Sequence, residues 1–148
     1  MKEMGDYCVI SGSEVKEGSV IGSFVVVNKA SIGRNCVIGE FTSISEGAVI
    51  GDDCFVGSHV AFVCTRIPGV RRNAETSFIE KNPEKSVARV MDGASIGAGC
   101  VVFPVTIGRN ALIAAGSVVT RDVPDGEVWQ GNPAKKVGYT AWIDGVDE

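Results

Sequence analysis

The sequence predicts an all-β chain wound as a coil of short stacked strands, and three observations carry that prediction. First, an aliphatic residue returns every sixth position through residues 31–57, SIGRNCVIGEFTSISEGAVIGDDCFVG, at Ile32, Ile38, Ile44, Ile50 and Val56, each followed by Gly or Ser. A helix repeats near 3.6 residues and an isolated strand near 2. Six is a multiple of 2 that also marks where the chain turns, so three hexads close a triangular circuit of about eighteen residues. Second, a small residue stands four positions after the aliphatic one, at Cys36, Thr42, Ala48, Cys54, Ala111 and Ser117, and fits beside it inside the prism. Third, the 19 Gly are too irregularly spaced for collagen and suit turns.

From the amino end, Val9, Val15, Ile21 and Val27 keep the six-residue interval, and Val27 to Ile32 is a step of five. After Val56 the next slot is Phe62, and then the period is lost. It returns at Ile96 and Val102, slips to five at Ile107, and continues through Ile113 and Val119 toward Asp125. The short steps predict tightened corners at 28–31 and 103–106, where Pro104 suits a corner better than a strand centre. Asn35, Asn110 and several Gly suit corners that need a positive φ. The interruption, about 64–91, holds TRIPGVRRNAETSFIEKNPEKSVARVM and reads as a loop leaving the coil, a kind of segment that often carries function. The period ends at Gly131-Asn132-Pro133, so about 131–148 is expected to cap the last coil as a short helix or extended tail, covering an otherwise unpaired edge. All of 1–148 forms one domain.

Composition narrows the function. With 45% apolar and 22% charged residues the chain can bury a core, and a net charge of −4 without a long basic run argues against nucleic acid as partner. The five Cys have no CxxC spacing, and Cys36, Cys54 and Cys100 sit in the small interior slot, which reads as buried spacers in a reducing compartment. A single histidine is too few for a three-imidazole zinc centre, so no metal is expected. No apolar run reaches the length of a membrane span and no signal segment follows Met1, so a cytoplasmic protein is expected.

The hexads of residues 9–138, and above all ASIGAGCVVFPVTIGRNALIAAGSVVTRDVPDGEVWQGNPAKKVG at 94–138, resemble the hexapeptide-repeat, left-handed β-helix acyltransferases. The run IAAGSVVTRDVPDG followed by GNPAKKVG is similar to the acetyl-CoA-dependent branch. That resemblance implies left-handed coils, a homotrimer of parallel prisms with active sites between subunits, and coenzyme A in the groove between neighbours. The order of parts, with a loop between DDCFVGSHVAF and GASIGAGCVV, most resembles N-acetyltransferases of nucleotide-linked amino sugars in surface-polysaccharide synthesis. Phe62-Val63-Cys64 stands where those relatives carry phenylalanine-threonine-asparagine.

Acetyl transfer needs a nucleophile that has lost its proton, and an imidazole is the usual base near neutral pH. His59, the sole histidine, lies between the inward Val56 and Phe62 at the mouth of the loop, and is the candidate catalytic residue. Asp52 and Asp53 lie one repeat before it, more as exposed turn residues than as partners. Gly97–Gly99 and Ala114–Gly116 lie on successive coils, with small side chains and backbone amides suited to a thioester oxyanion and a pantetheine arm. The resemblance gives Ala98, Ala115 and Gly116 a cofactor-binding role, and puts Arg121 and Lys136 near the adenosine end of acetyl-CoA. Arg66, Arg71 and Arg72 on the loop are candidates for a sugar nucleotide diphosphate or a carboxylated sugar acceptor. Transfer to a hydroxyl, covalent transfer through Cys64, and a non-catalytic structural β-helix remain as alternatives.

Overall fold

The computed structural model describes residues 3–65 and 87–144. Its strands are short, most of them two residues, and form three sheets that share one prism. The first sheet holds β1 (Glu3–Met4), β4 (Val20–Ile21), β7 (Val37–Ile38), β10 (Phe55–Val56), β13 (Ser95–Ile96) and β16 (Leu112–Ile113), in that order. The second holds β2 (Val9–Ser11), β5 (Val26–Asn28), β8 (Ser43–Ile44), β11 (Ala61–Phe62), β14 (Val101–Val102) and β17 (Val118–Val119). The third holds β3 (Glu14–Val15), β6 (Ser31–Ile32), β9 (Val49–Ile50), β12 (Arg89–Val90) and β15 (Thr106–Ile107). Neighbours within each of these sheets run parallel, as successive turns of one coil must.

From β3 onward the second residue of each two-residue strand points inward and is buried. Ile21, Ile32, Ile38, Ile44, Ile50, Ile96, Ile107 and Ile113 are all at most 2% exposed, which places the repeated aliphatic residue in the core. Each such side chain contributes roughly 1.5–3 kcal/mol by burial. The small interior slots are equally dry: Cys36, Cys54 and Cys100 are buried free thiols, as the spacing predicts. The three buried hydroxyls among the described residues are satisfied, with Ser19 Oγ donating to the Gly33 carbonyl at 2.7 Å, Thr42 Oγ1 to Gly57 at 2.9 Å and Ser117 Oγ to Ala114 at 2.7 Å. A buried hydroxyl left unpaired would cost more than it gains, so this pairing is what admits polar residues to the interior.

Three expectations need correction. Val9 faces outward, 57% exposed, because it pairs with outward Val26, while Ile10 pairs with Val27 and packs on the core. Ile10 to Val15 is therefore a third five-residue step. After Val119 the inward residue is Val123, bridged to Ile107, and not Asp125. The coil resumes earlier than residue 91, because Ala88 is already buried and Arg89–Val90 is a ladder strand.

The cap also differs in form. β18 (Glu127–Gly131) pairs in parallel with β16, and β19 (Ala134–Tyr139) turns back antiparallel on β18 before a one-turn helix, α1 (Thr140–Ile143). This hairpin pairs the exposed edge of β16, the liability that any stacked coil must manage.

Candidate functional site

The corner between the first and second sheets is built to one plan in six successive turns. Its apex residue has a left-handed φ each time: Tyr7 (58°), Phe24 (60°), Phe41 (61°), His59 (55°), Gly99 (73°) and Gly116 (72°). Each apex amide from Phe24 onward donates to the corner below, with Phe24 bonding Asp6, Phe41 bonding Ser23, His59 bonding Glu40, Gly99 bonding Ser58 and Gly116 bonding Ala98, all at 2.9–3.1 Å. Bulky residues rarely accept a positive φ. Here stacking offsets the strain, because the rings of Tyr7, Phe24, Phe41 and His59 form a ladder with centroids 5.2, 5.0 and 4.9 Å apart. These separations match the rise of about 4.8 Å per turn set by strand pairing.

The ladder stops at His59. One face of the exposed imidazole lies on Phe41 with planes 21° apart, and the next two apices are glycines. A β-carbon built on Gly99 or Gly116 meets nothing within 4 Å, so there is a notch above His59 where its predecessors carry rings. Gly97 is small for another reason: its β-carbon would fall 2.5 Å from the Ala115 nitrogen on the turn above.

Beside the notch, a groove of about 230 Å³ runs over the outer face of the first sheet, lined by Phe55, Ser95, Gly97, Leu112, Ala114 and Ala115 among others. Ser95 makes the gap, since it is the small outward residue between Phe55 and Leu112 in the row along the axis. Ala98 and Ala115 are exposed at this corner. Their amides lie outside the ladder hydrogen bonds among the described residues, whereas the amides of Gly97, Gly99, Ala114 and Gly116 are taken by Ile113, Ser58, Trp129 and Ala98 carbonyls. The donors open to a ligand thus narrow to Ala98 and Ala115.

One turn further along, Thr120, Arg121, Trp129, Pro133, Lys135 and Lys136 surround a pocket of about 290 Å³. The structure brings Arg121 and Lys136 together here because β19 folds back over the coil end. The Lys136 ammonium lies 3.9 Å from the Tyr139 ring centroid and 3.9 Å from the Glu127 carboxylate, and it hydrogen-bonds the Tyr139 hydroxyl. Trp129, which the sequence reading passed over, is a half-buried wall of this pocket and donates its indole N–H to Glu127 at 3.1 Å. Its carbonyl accepts the Ala114 amide at 2.9 Å, so pocket and groove are on adjoining turns.

Asp52 and Asp53 do not join His59. They occupy the corner between the third and first sheets, where Asp52 Oδ1 accepts the Arg34 amide at 2.7 Å and the Asp52 amide donates to Asp92 Oδ1 at 2.8 Å. Arg66, Arg71 and Arg72 lie outside the described residues. Cys64 is exposed at the start of the excursion. Among the described residues no three His, Cys, Asp or Glu side chains gather as a metal site, and no helix is long and apolar enough to cross a membrane.

The residues missed from sequence are the ring supports beneath His59. Tyr7, Phe24, Phe41 and His59 recur at intervals of 17, 17 and 18, a signal visible only when whole circuits are aligned.

Comparison with known proteins agrees with this architecture. Residues 29–62 match the family described as bacterial transferase hexapeptide (six repeats), and residues 89–121 match the hexapeptide repeat of succinyl-transferase. The bifunctional protein GlmU of Alkalilimnicola ehrlichii is 33% identical over 143 residues, covering 83% of this chain. The chain spans about a third of that relative's length, 31%. Among solved structures, the N-acyltransferase AntD from Bacillus cereus, in complex with dTDP and 3-hydroxybutyryl-CoA, superposes with a TM-score of 0.75 over 93% of this chain and 80% of its own, at 17% identity. Serine acetyltransferase of Neisseria gonorrhoeae superposes with a TM-score of 0.58 over 80% of this chain and 42% of its own, at 27% identity. The fold is a left-handed parallel β-helix, and the chain carries two blocks of the hexapeptide repeat that these family models describe.

Proposed function

We propose that this chain is an acetyl-CoA-dependent acetyltransferase that moves the acetyl group to the amino group of a nucleotide-linked amino sugar by direct attack. The observation that carries the reading is the change at the first corner, where the ladder of rings ends at an exposed imidazole and gives way to the open glycines Gly99 and Gly116. Groove, notch and basic pocket follow one another along the prism, which suits an extended donor with its thioester near His59 and its phosphates near Arg121 and Lys136. The acceptor nitrogen attacks the thioester carbonyl and the C–S bond breaks. His59 takes the proton from nitrogen, the thiolate of coenzyme A leaves, and the Ala98 and Ala115 amides support the oxyanion. Arg66, Arg71 and Arg72 are assigned to the acceptor's anionic groups. AntD, which binds dTDP and an acyl-CoA, supports a nucleotide-linked acceptor.

A homotrimer with sites between subunits goes with this reading. Val20, Val37 and Phe55 on the first sheet, Val26 on the second, and Phe24 and Phe41 at their shared corner are 39–52% exposed and make one apolar edge. Such an edge suits burial against a second copy. The third sheet instead presents Glu14, Ser31, Arg89 and Thr106 alongside Val49. The likeness to serine acetyltransferase favours a second reading, transfer to a hydroxyl.

The test is incubation of the protein with acetyl-CoA and a panel of nucleotide amino sugars and simple hydroxyl compounds, following thiol release and product mass. Acetylated amino sugar is the expected product. Product only from hydroxyl acceptors moves the assignment to O-acetyl transfer, and absence of acetyl-CoA binding overturns both enzyme readings. A hydroxyl needs a base more than an amine does, so complete loss of turnover in His59→Ala points to the hydroxyl reading and partial loss to the amine.

A further inference from the structure

We infer that Phe41 is a positioning residue for the acyl-transfer site, holding the His59 imidazole so that one face is sealed and its open side is turned to the notch. The inference rests on the proposed role of His59 and adds a residue to it. His59 sits at a corner apex with a left-handed φ of 55°, which fixes where its side chain leaves the backbone. The remaining freedom is rotation of the side chain, and the Phe41 ring beneath it, 4.9 Å away and 21° from parallel, restrains that rotation. Phe41 is itself backed by Phe24 at 5.0 Å and 2°, so the support is a column and not a single mobile ring.

The column ends where the chemistry is expected to begin. On the far side of His59 the matching apex is Gly99, with open space where its β-carbon would be. A base that must reach a substrate proton needs an orientation set before the substrate arrives, and a small misplacement lowers the rate. The stack supplies that orientation without taking a nitrogen of the imidazole, leaving both ring nitrogens for proton transfer.

The test compares Phe41→Leu, Phe41→Tyr and Phe24→Leu with the parent and with His59→Ala. Phe41→Leu is expected to lower kcat about ten- to a hundredfold, by analogy with other misplaced catalytic groups. KM for acetyl-CoA should stay within about twofold, because the ring does not line the groove. Phe41→Tyr restores the stack and should recover most of kcat, and Phe24→Leu, one ring further from His59, should lower kcat less than Phe41→Leu does. The single histidine gives an independent readout. In untagged protein the imidazole C–H resonances of His59 should move downfield in Phe41→Leu as the ring current disappears, and move by a smaller amount in Phe24→Leu.

Unmoved His59 resonances in Phe41→Leu would refute the stack. Moved resonances with parental kcat would refute positioning while leaving the proposed function intact. If His59→Ala retains parental kcat, or the parent turns over no acceptor, the proposed role of His59 fails and the inference fails with it.

Discussion

Replacing Gly99 by Phe separates the stability of the corner from its use. The apex φ at Gly99 is 73°, close to the 60° and 61° at which Phe24 and Phe41 already sit, and a β-carbon there meets no atom within 4 Å. A side chain in the left-handed region costs about 1–2 kcal/mol. A new stack on His59 returns about 0.5–1.5 kcal/mol, so the net loss is about 0.5 kcal/mol. For a chain of this size the melting midpoint should fall by no more than about 4 °C. The added ring would nevertheless fill the notch and cover the open face of His59, so turnover should drop on the order of a hundredfold or more. The assay pairs thermal unfolding with thiol release from acetyl-CoA. A folded Gly99→Phe with parental turnover would show that the notch is not the reacting site, and a variant that fails to fold would show that Gly99 is not equivalent to the ring-bearing apices.

Gly97→Ala should lower stability more, because its β-carbon meets the Ala115 backbone nitrogen at 2.5 Å; overpacking of about 1–3 kcal/mol is expected in urea unfolding, and a parental midpoint would contradict the close approach. Arg121→Ala or Lys136→Ala should raise KM for acetyl-CoA about ten- to a hundredfold, the worth of one charge-assisted hydrogen bond, with little change in kcat and none in the use of a short thioester lacking phosphates. Thiol labelling of the native protein should modify exposed Cys64 first and half-buried Cys8 slowly, while Cys36, Cys54 and Cys100 react only on unfolding. The Cys54 thiol is pushed above its ordinary range by its Cys36 neighbour and by burial, and Cys100 by burial, whereas the Cys54 contact lowers the Cys36 thiol to about 7, so burial alone keeps Cys36 from reacting, and rapid loss of more than two thiols in the folded state would contradict the packing.

The coil was legible because its signal is redundant: each Ile or Val slot is repeated, and each is followed by a small residue that confirms the phase. Phase failed where two aliphatic residues stand side by side. Val9-Ile10 fits either register by composition, and only pairing with Val26-Val27 shows that Ile10 is inward. The cap was half legible. Gly131-Asn132-Pro133 marks the departure from the period, but the strands around it, EVWQG and AKKVGY, lack the alternation that identifies a hairpin, since the first is held by pairing with β16 and the second by pairing with the first. At the site, His59 could be found by chemistry. Phe41 could not, because an aromatic residue at a left-handed corner contradicts local preference, and only the ring one circuit away makes it acceptable.

The irregularities of the coil explain how such a column survives along the chain. The five-residue steps, Ile10 to Val15, Val27 to Ile32 and Val102 to Ile107, and the long excursion from Phe62 to Val90 all fall at the corner between the second and third sheets. The first corner, by contrast, keeps six residues in every step from Met4 to Ile10 through Ile113 to Val119. A residue gained or lost at the first corner would shift the apex and separate rings that must lie about 5 Å apart to stack. Placing every change of length at the other corner leaves the apices superposed, so Phe41, His59, Gly99 and Gly116 hold their alignment even though the interruption separates His59 from Gly99 by forty residues of sequence. Geometry at the site is therefore set by vertical neighbours, one circuit apart, and is insensitive to how much chain the excursion contains.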